Sequence, residues 1–142
     1  MIRPQNITAQ AKRLGACRLA DSPSDWKSLV RLFFAPQGAE FCERYNYPST
    51  AQFRECAAEI APYGVFVDAG EIVLDNATRV GVIGDTFARL SFAMPYTVHK
   101  VILMHGGKAH ITATDYAVVR LINMGDPDNV KITTDDTAVI LQ

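Results

Sequence analysis

The chain is poor in cysteine and has no arrangement that would pair its thiols. Cys17, Cys42 and Cys56 are odd in number, fall in the first half and show no Cys-x-x-Cys spacing. That pattern excludes a disulfide framework and points to reduced, partly buried thiols in a cytoplasmic protein. Long hydrophobic runs are missing as well. No stretch approaches the roughly 18 apolar residues of a spanning helix, so no membrane contact is expected. The first ten residues, MIRPQNITAQ, lack the apolar centre of a signal peptide. Charge of one sign is also absent: the net charge is −1 and no basic run could neutralise several phosphates, which disfavours a nucleic-acid partner. What remains is a chain of 142 residues, 49% hydrophobic and 20% charged, enough for a compact core.

Two grammars divide it. Residues 1–62 read as helical and residues 63–142 as β, packed together as one domain. In the first part, Thr8 is expected to cap a short helix ending at Gly15, where a left-handed residue closes the last turn. Ser24 precedes DWKSLVRLFF, in which Trp26, Leu29, Leu32 and Phe33 recur at helical spacing. Pro36-Gln37-Gly38 reads as an interruption before a short helix, Ala39 to Tyr45, that turns Phe41 and Cys42 inward. Asn46-Tyr47-Pro48 is a turn. Ser49 or Thr50 then caps TAQFRECAAEIA, one helix with Phe53, Cys56, Ala57 and Ile60 on a single face.

Beyond Gly64 come nine short β-type runs, VFVDAG, EIVL, RVGVIG, FARLSF, TVHKVILM, KAHITA, YAVVRL, NVKITT and TAVIL, punctuated by Gly, Asp, Asn and Pro. Shifting the chain by 21 residues lays Ala109-His-Ile-Thr on Val130-Lys-Ile-Thr, and Asp115-Tyr-Ala-Val-Val on Asp136-Thr-Ala-Val-Ile. Apolar columns then appear: Val67, Ala88, Ala109 and Val130; Ala69, Leu90, Ile111 and Ile132; Ala77, Val98, Val119 and Ile140; Val80, Val101 and Ile122; Val82, Leu103 and Met124. Between the first two runs a polar column, Asp68, Arg89, His110 and Lys131. A coiled chain whose strands lie on those of the preceding coil needs this arrangement, because like positions then share one interior. The expected fold is mainly β with N-terminal helices. It is a short single-stranded parallel β-helix, or solenoid, of three to four coils capped by the α-helical segment. An antiparallel β-sandwich or barrel with helices is the alternative.

No catalytic, cofactor or metal residues emerge. His105-Gly106-Gly107 resembles an oxyanion loop, but Ser22, Ser24, Ser28, Ser49 and Ser91 lack the G-x-S-x-G setting of its nucleophile. Gly107-Lys108 lacks the rest of a phosphate loop. His105-Gly-Gly therefore reads as a corner that needs positive φ. His99, His105 and His110 occupy different columns without a Cys or carboxylate at ligand spacing. The aspartates flank turns, where their side chains hydrogen-bond nearby backbone. Asp85, Asp115 and Asp136 are the nearest thing to an acid/base set. The helices around Asn46 have the length of a DNA-reading unit, yet the second carries Arg54 against Glu55 and Glu59.

A solenoid exposes strand edges at its ends. The helices are expected to cover the first end. TAVILQ leaves the last coil open, so Val139, Ile140 and Leu141 are the expected interface, with a second copy or another protein as the partner. The favoured function is a non-enzymatic, self-associating structural or interaction module. The alternatives are a carbohydrate-active or acyl-transfer enzyme using turn-flanking Asp and His residues, and a DNA-binding regulator. RLFFAPQGAEFCERYNYP, YGVFVDAG and VILMHGGKAHI resemble segments of small uncharacterised proteins of Bacteroidetes genomes, phages or mobile elements. That resemblance implies a phage-related structural component, with no defined activity and no site residues.

Overall fold

A computed structural model describes residues 2–15 and 25–142 of the chain. Two compact units follow one another, Met1–Val65 and Phe66–Gln142, so the division falls three residues beyond the expected one at 62/63.

The first unit is helical: α1 (Pro4–Arg13), α2 (Trp26–Phe34), α3 (Pro36–Tyr45), α4 (Thr50–Glu55) and α5 (Ala57–Ile60). Helix α1 begins earlier than its capping pattern implied. Pro4 takes the first helical position, where a missing N–H costs nothing, and the Arg3 N–H donates to Asn6 Oδ1 at 2.8 Å. Thr8, the expected cap, is instead buried within α1, its hydroxyl donating back to the Gln5 carbonyl. Gly15 has the expected left-handed φ of 108°. Asp25 caps α2 by accepting the Ser28 N–H at 2.8 Å, while Ser24 and Cys17 lie outside the described residues. Pro36 opens α3 rather than delaying it, for the same reason that Pro4 opens α1. Ser49 and Gln52 cap α4 reciprocally, side chain to backbone in both directions. The single helix expected after Ser49 is broken at Cys56, although Phe53, Cys56 and Ile60 remain buried. Cys42 and Cys56 are free thiols. Burial pushes Cys42 up to about 12, and burial with the nearby Glu59 charge pushes Cys56 up to about 11.

The strands are β1 (Val65–Val67), which begins at the last residue of the first unit, and, within the second, β2 (Gly70–Asp75), β3 (Arg79–Ile83), β4 (Thr86–Phe92), β5 (Val98–Met104), β6 (Lys108–Ala113), β7 (Val118–Asn123), β8 (Val130–Thr134) and β9 (Val139–Leu141). These nine strands are the nine runs of the sequence. Odd-numbered strands form one sheet in the order β1-β3-β5-β7-β9, and even-numbered strands form a second, β2-β4-β6-β8. The ladders are parallel and join each strand to the equivalent strand one coil later. This is a parallel β-solenoid of about three turns with two strands per coil. It overturns the antiparallel sandwich or barrel, which would need neighbours running in opposite directions.

Ala88, Ala109 and Val130 lie over one another, as do Leu90, Ile111 and Ile132. The 21-residue step therefore holds throughout β4, β6 and β8. It fails in two places, between β2 and β4 and between β5 and β7. Ile72, not Val67, lies on Ala88, and Leu74, not Ala69, lies on Leu90, a step of 16 in the first coil. Between β5 and β7 the step is 20: Val101 meets Leu121 rather than Ile122, and Leu103 meets Asn123 rather than Met124. Because side chains alternate along a strand, that slip exchanges faces. His99, not Val98, pairs with Val119 and enters the interior, while Val98 turns out to solvent. In the outer column Val73 replaces Asp68 beside Arg89, His110 and Lys131.

The interior is mainly aliphatic. Val80, Val82, Leu90, Val101, Leu103, Ile111 and Val119 are essentially inaccessible, together with Phe92. His99 is equally buried. Its Nδ1 lies 2.9 Å from the Ala77 carbonyl, so Nδ1 carries the proton and donates, and its ring lies 4.6 Å from that of Phe92. Removing such side chains from water contributes about 2 kcal/mol each, which is the main term holding the coils together. Val101-Ile-Leu-Met104 breaks the alternation because all four residues are buried, and a strand covered on both faces reads as a continuous apolar run.

Candidate interaction site

The strand-to-strand corners hold most of the residues that carried chemical interest in the sequence. His105 and Gly106 adopt positive φ, 54° and 91°, and Gly107 packs against the Val82 carbonyl group with no room for a side chain. His-Gly-Gly is a corner. Asp68 Oδ1 accepts the Asp85 N–H at 2.8 Å, and Asp126 Oδ1 accepts the Asp128 N–H at 2.8 Å. Asp85 lies between β3 and β4, on the side where the chain passes from the first sheet to the second. Asp115 and Asp136 lie on the return side, between β6 and β7 and between β8 and β9. The topology therefore separates Asp85 from the other two members of the acid/base set that the sequence offered.

The histidines are equally scattered: His99 in the interior, His105 at a corner, and His110 on the outer face against the Phe87 ring, 4.8 Å away. Beside it Arg89 pairs with Glu71 at 2.7 Å. Among the described residues no group of three His, Cys, Asp or Glu side chains is placed to hold a metal ion. None of the described helices is long and apolar enough to cross a membrane. The helical unit contains a cavity of about 340 Å³ lined by apolar groups, including Phe33, Phe41, Phe53 and Ile60. Its Tyr47 hydroxyl is already engaged, donating to the Ile7 carbonyl at 2.7 Å.

Asp135 fixes the last corner. Its Oδ1 accepts from the Thr137 hydroxyl at 2.7 Å, the Thr137 N–H at 2.9 Å and the Ala138 N–H at 3.1 Å. These bonds, the Thr137 hydroxyl first, hold its carboxyl well below the usual range, at about 2. A carboxylate depressed in the folded state stabilises it above the unfolded value, and that contribution is lost as pH falls towards 2. Asp135→Asn should therefore unfold at lower urea than wild type at pH 5, with the gap narrowing as the pH is lowered to 2. A gap independent of pH would show that the charge is immaterial.

No protein-family model, curated protein or solved structure matches this chain.

The geometry of the chain singles out the last coil. Ala109, Ile111 and Val119 are at most 1% exposed, yet Val130, Ile132 and Ile140, which lie directly over them, are only half-buried. β8 and β9 are the outermost strands of their sheets. Of the three residues expected at an interface, Ile140 faces the interior column. Val139 and Leu141 point outward beside Val118 and Arg120, each 47% exposed. The spacing of alternate residues shows this division once the register is known. The half-exposed Val130, Ile132 and Ala138 complete the apolar end, although the sequence did not place them at an interface.

Proposed function

We propose that this protein is a non-enzymatic structural or interaction module that self-associates through the last coil of its solenoid. The supporting observation is the drop from complete to half burial between Ile111 and Ile132, at strands whose outer edges belong to no ladder. Exposed parallel edges with an apolar column between them are a template for further strand pairing. A second copy related by a two-fold axis across this end would bring β8 and β9 against the equivalent strands in antiparallel orientation. Both ladders would then extend while Val130, Ile132 and Ile140 become covered. The scattered histidines, and the separation of Asp85 from Asp115 and Asp136, favour this reading over an enzyme.

Sedimentation velocity over a range of concentrations tests it. Wild type should form dimers, and the double variant Val139→Lys, Leu141→Lys should remain monomeric with an unchanged circular dichroism spectrum. Both substituted positions are exposed in the single chain, so lysines there act on the edge rather than on the core. The apparent dissociation constant should weaken by at least a hundredfold. A wild-type protein that stays monomeric at high concentration would refute the proposal.

A further inference from the structure

The helical unit encloses a space that its own side chains leave unfilled. At about 340 Å³ the cavity far exceeds the water-sized voids of packed interiors, and it lies within the ~300–1,000 Å³ typical of small-molecule pockets. Its described lining falls entirely within Met1–Val65. Ile7 of α1, Val30 and Phe33 of α2, Phe53 of α4 and Ile60 of α5 line it and are buried, so four helices converge on it with hydrocarbon. The polar atoms of this wall already have partners within the chain. The Thr8 hydroxyl donates to the Gln5 carbonyl at 3.2 Å, the Tyr47 hydroxyl to the Ile7 carbonyl at 2.7 Å and the Cys56 thiol to the Gln52 carbonyl at 3.4 Å. Among the described residues no buried side-chain nitrogen or oxygen of the lining lacks a hydrogen bond. A polar ligand group placed against this wall would lose water and gain little in return, whereas an apolar one gains burial.

The lining also narrows the kind of apolar molecule. Its charged members, Glu40 and Arg44, are exposed at the mouth, opposite in sign and one turn apart on α3, so an ionic head of either sign meets attraction and repulsion together. Aromatic rings dominate the rest: Trp26, Phe33, Phe41, Tyr45, Tyr47 and Phe53 all line this one cavity. Within the wall they meet edge to face, Phe33 with Phe53 at 6.0 Å and 75°, and Phe41 with Tyr47 at 6.2 Å and 82°. A ring entering the cavity gains such pairing in addition to burial, which an alkyl chain of the same size does not. We infer that the cavity is a binding site for a small, uncharged aromatic molecule. This site belongs to the helical unit and is independent of association through β8 and β9.

Trp26 is the only tryptophan of the chain and lines the cavity, so its fluorescence reports an occupant directly. Titration of the full chain with N-phenyl-1-naphthylamine, beside 1-naphthoate and 1-decanol, tests the inference. The neutral aromatic probe should quench Trp26 saturably, and the anion and the alkyl alcohol should each bind at least tenfold more weakly. Ala11→Leu and Cys42→Leu add apolar volume to the lining from two different helices. Each should weaken probe binding at least tenfold while keeping or raising the wild-type Tm, as filling a void does. In wild type, bound probe should slow alkylation of Cys42 and Cys56, which both line the cavity, at least tenfold by peptide mass. The double variant Val139→Lys, Leu141→Lys should bind the probe as wild type does. The inference is overturned if the neutral probe does not saturate, if naphthoate or decanol binds as tightly, if both thiols stay equally reactive, or if a folded Leu variant binds unchanged. Loss of binding in the double lysine variant would equally overturn it, because the probe would then lie on the apolar end of the solenoid.

Discussion

Gly107→Ala should destabilise the protein by about 3 kcal/mol, the range of substitutions that force atoms into filled space. Gly106→Ala, one residue earlier, should cost only about 1 kcal/mol. The difference is one of space against conformation. A methyl group on Gly107 would run into the Val82 carbonyl and would also crowd the Ile83 nitrogen at 3.1 Å, both backbone atoms of the coil beneath. Backbone in a parallel ladder cannot retreat without breaking hydrogen bonds, and the Gly107 N–H itself donates to the Met104 carbonyl at 3.0 Å. Gly106 has φ 91° but meets nothing within 4 Å of a built Cβ, so only its backbone preference is lost. Urea denaturation followed by circular dichroism measures both. Equal effects would mean that the corner is held by conformation alone and that contact with the coil beneath is not limiting.

Ile111→Ala should cost about 4 kcal/mol, and Ile132→Ala, one coil further on, about 2 kcal/mol in the monomer. The two residues have the same chemistry and the same column, so the comparison isolates burial. Ile111 lies between Leu90 and Ile132 and is 1% exposed, leaving a cavity that a rigid ladder cannot close. Ile132 has a neighbour beneath it and partial exposure above, so truncation removes fewer contacts. Self-association through the last coil would alter this order. As protein concentration rises and Ile132 becomes covered, its cost should approach that of Ile111. Denaturation midpoints compared at low and high concentration reveal this, and a constant gap would speak against coverage of that end by a second copy.

Much of the solenoid was legible because a stacked coil writes its geometry into sequence. Strands of β4, β6 and β8 repeat at 21 residues, and the same repeat put Ile111 on Ile132 and His110 beside Lys131. The errors arose at corners. A turn may gain or lose residues without disturbing the strands it joins, but every such change shifts the register that follows. The turn before β5 has one residue more than the turn before β7, and this slip sent His99 inward and Val98 outward. A polar residue among aliphatic ones gave no sign that it would be in the interior. The break at Cys56 was hidden for a similar reason: Phe53, Cys56 and Ile60 keep a helical face across two short helices.

The candidate interface was partly readable. Apolar TAVIL identified the last strand, but only the paired register separated inward Ile140 from outward Val139 and Leu141.

Residue order alone made parallel coils the favoured winding of this chain, since aliphatic positions that recur at the length of one coil share a single interior when the coils stack. Tertiary structure decided which coil is left half-covered and which histidine is enclosed. Those outcomes depend on the length of each corner and on what lies above each strand, and neither is encoded in the local alternation of apolar and polar side chains.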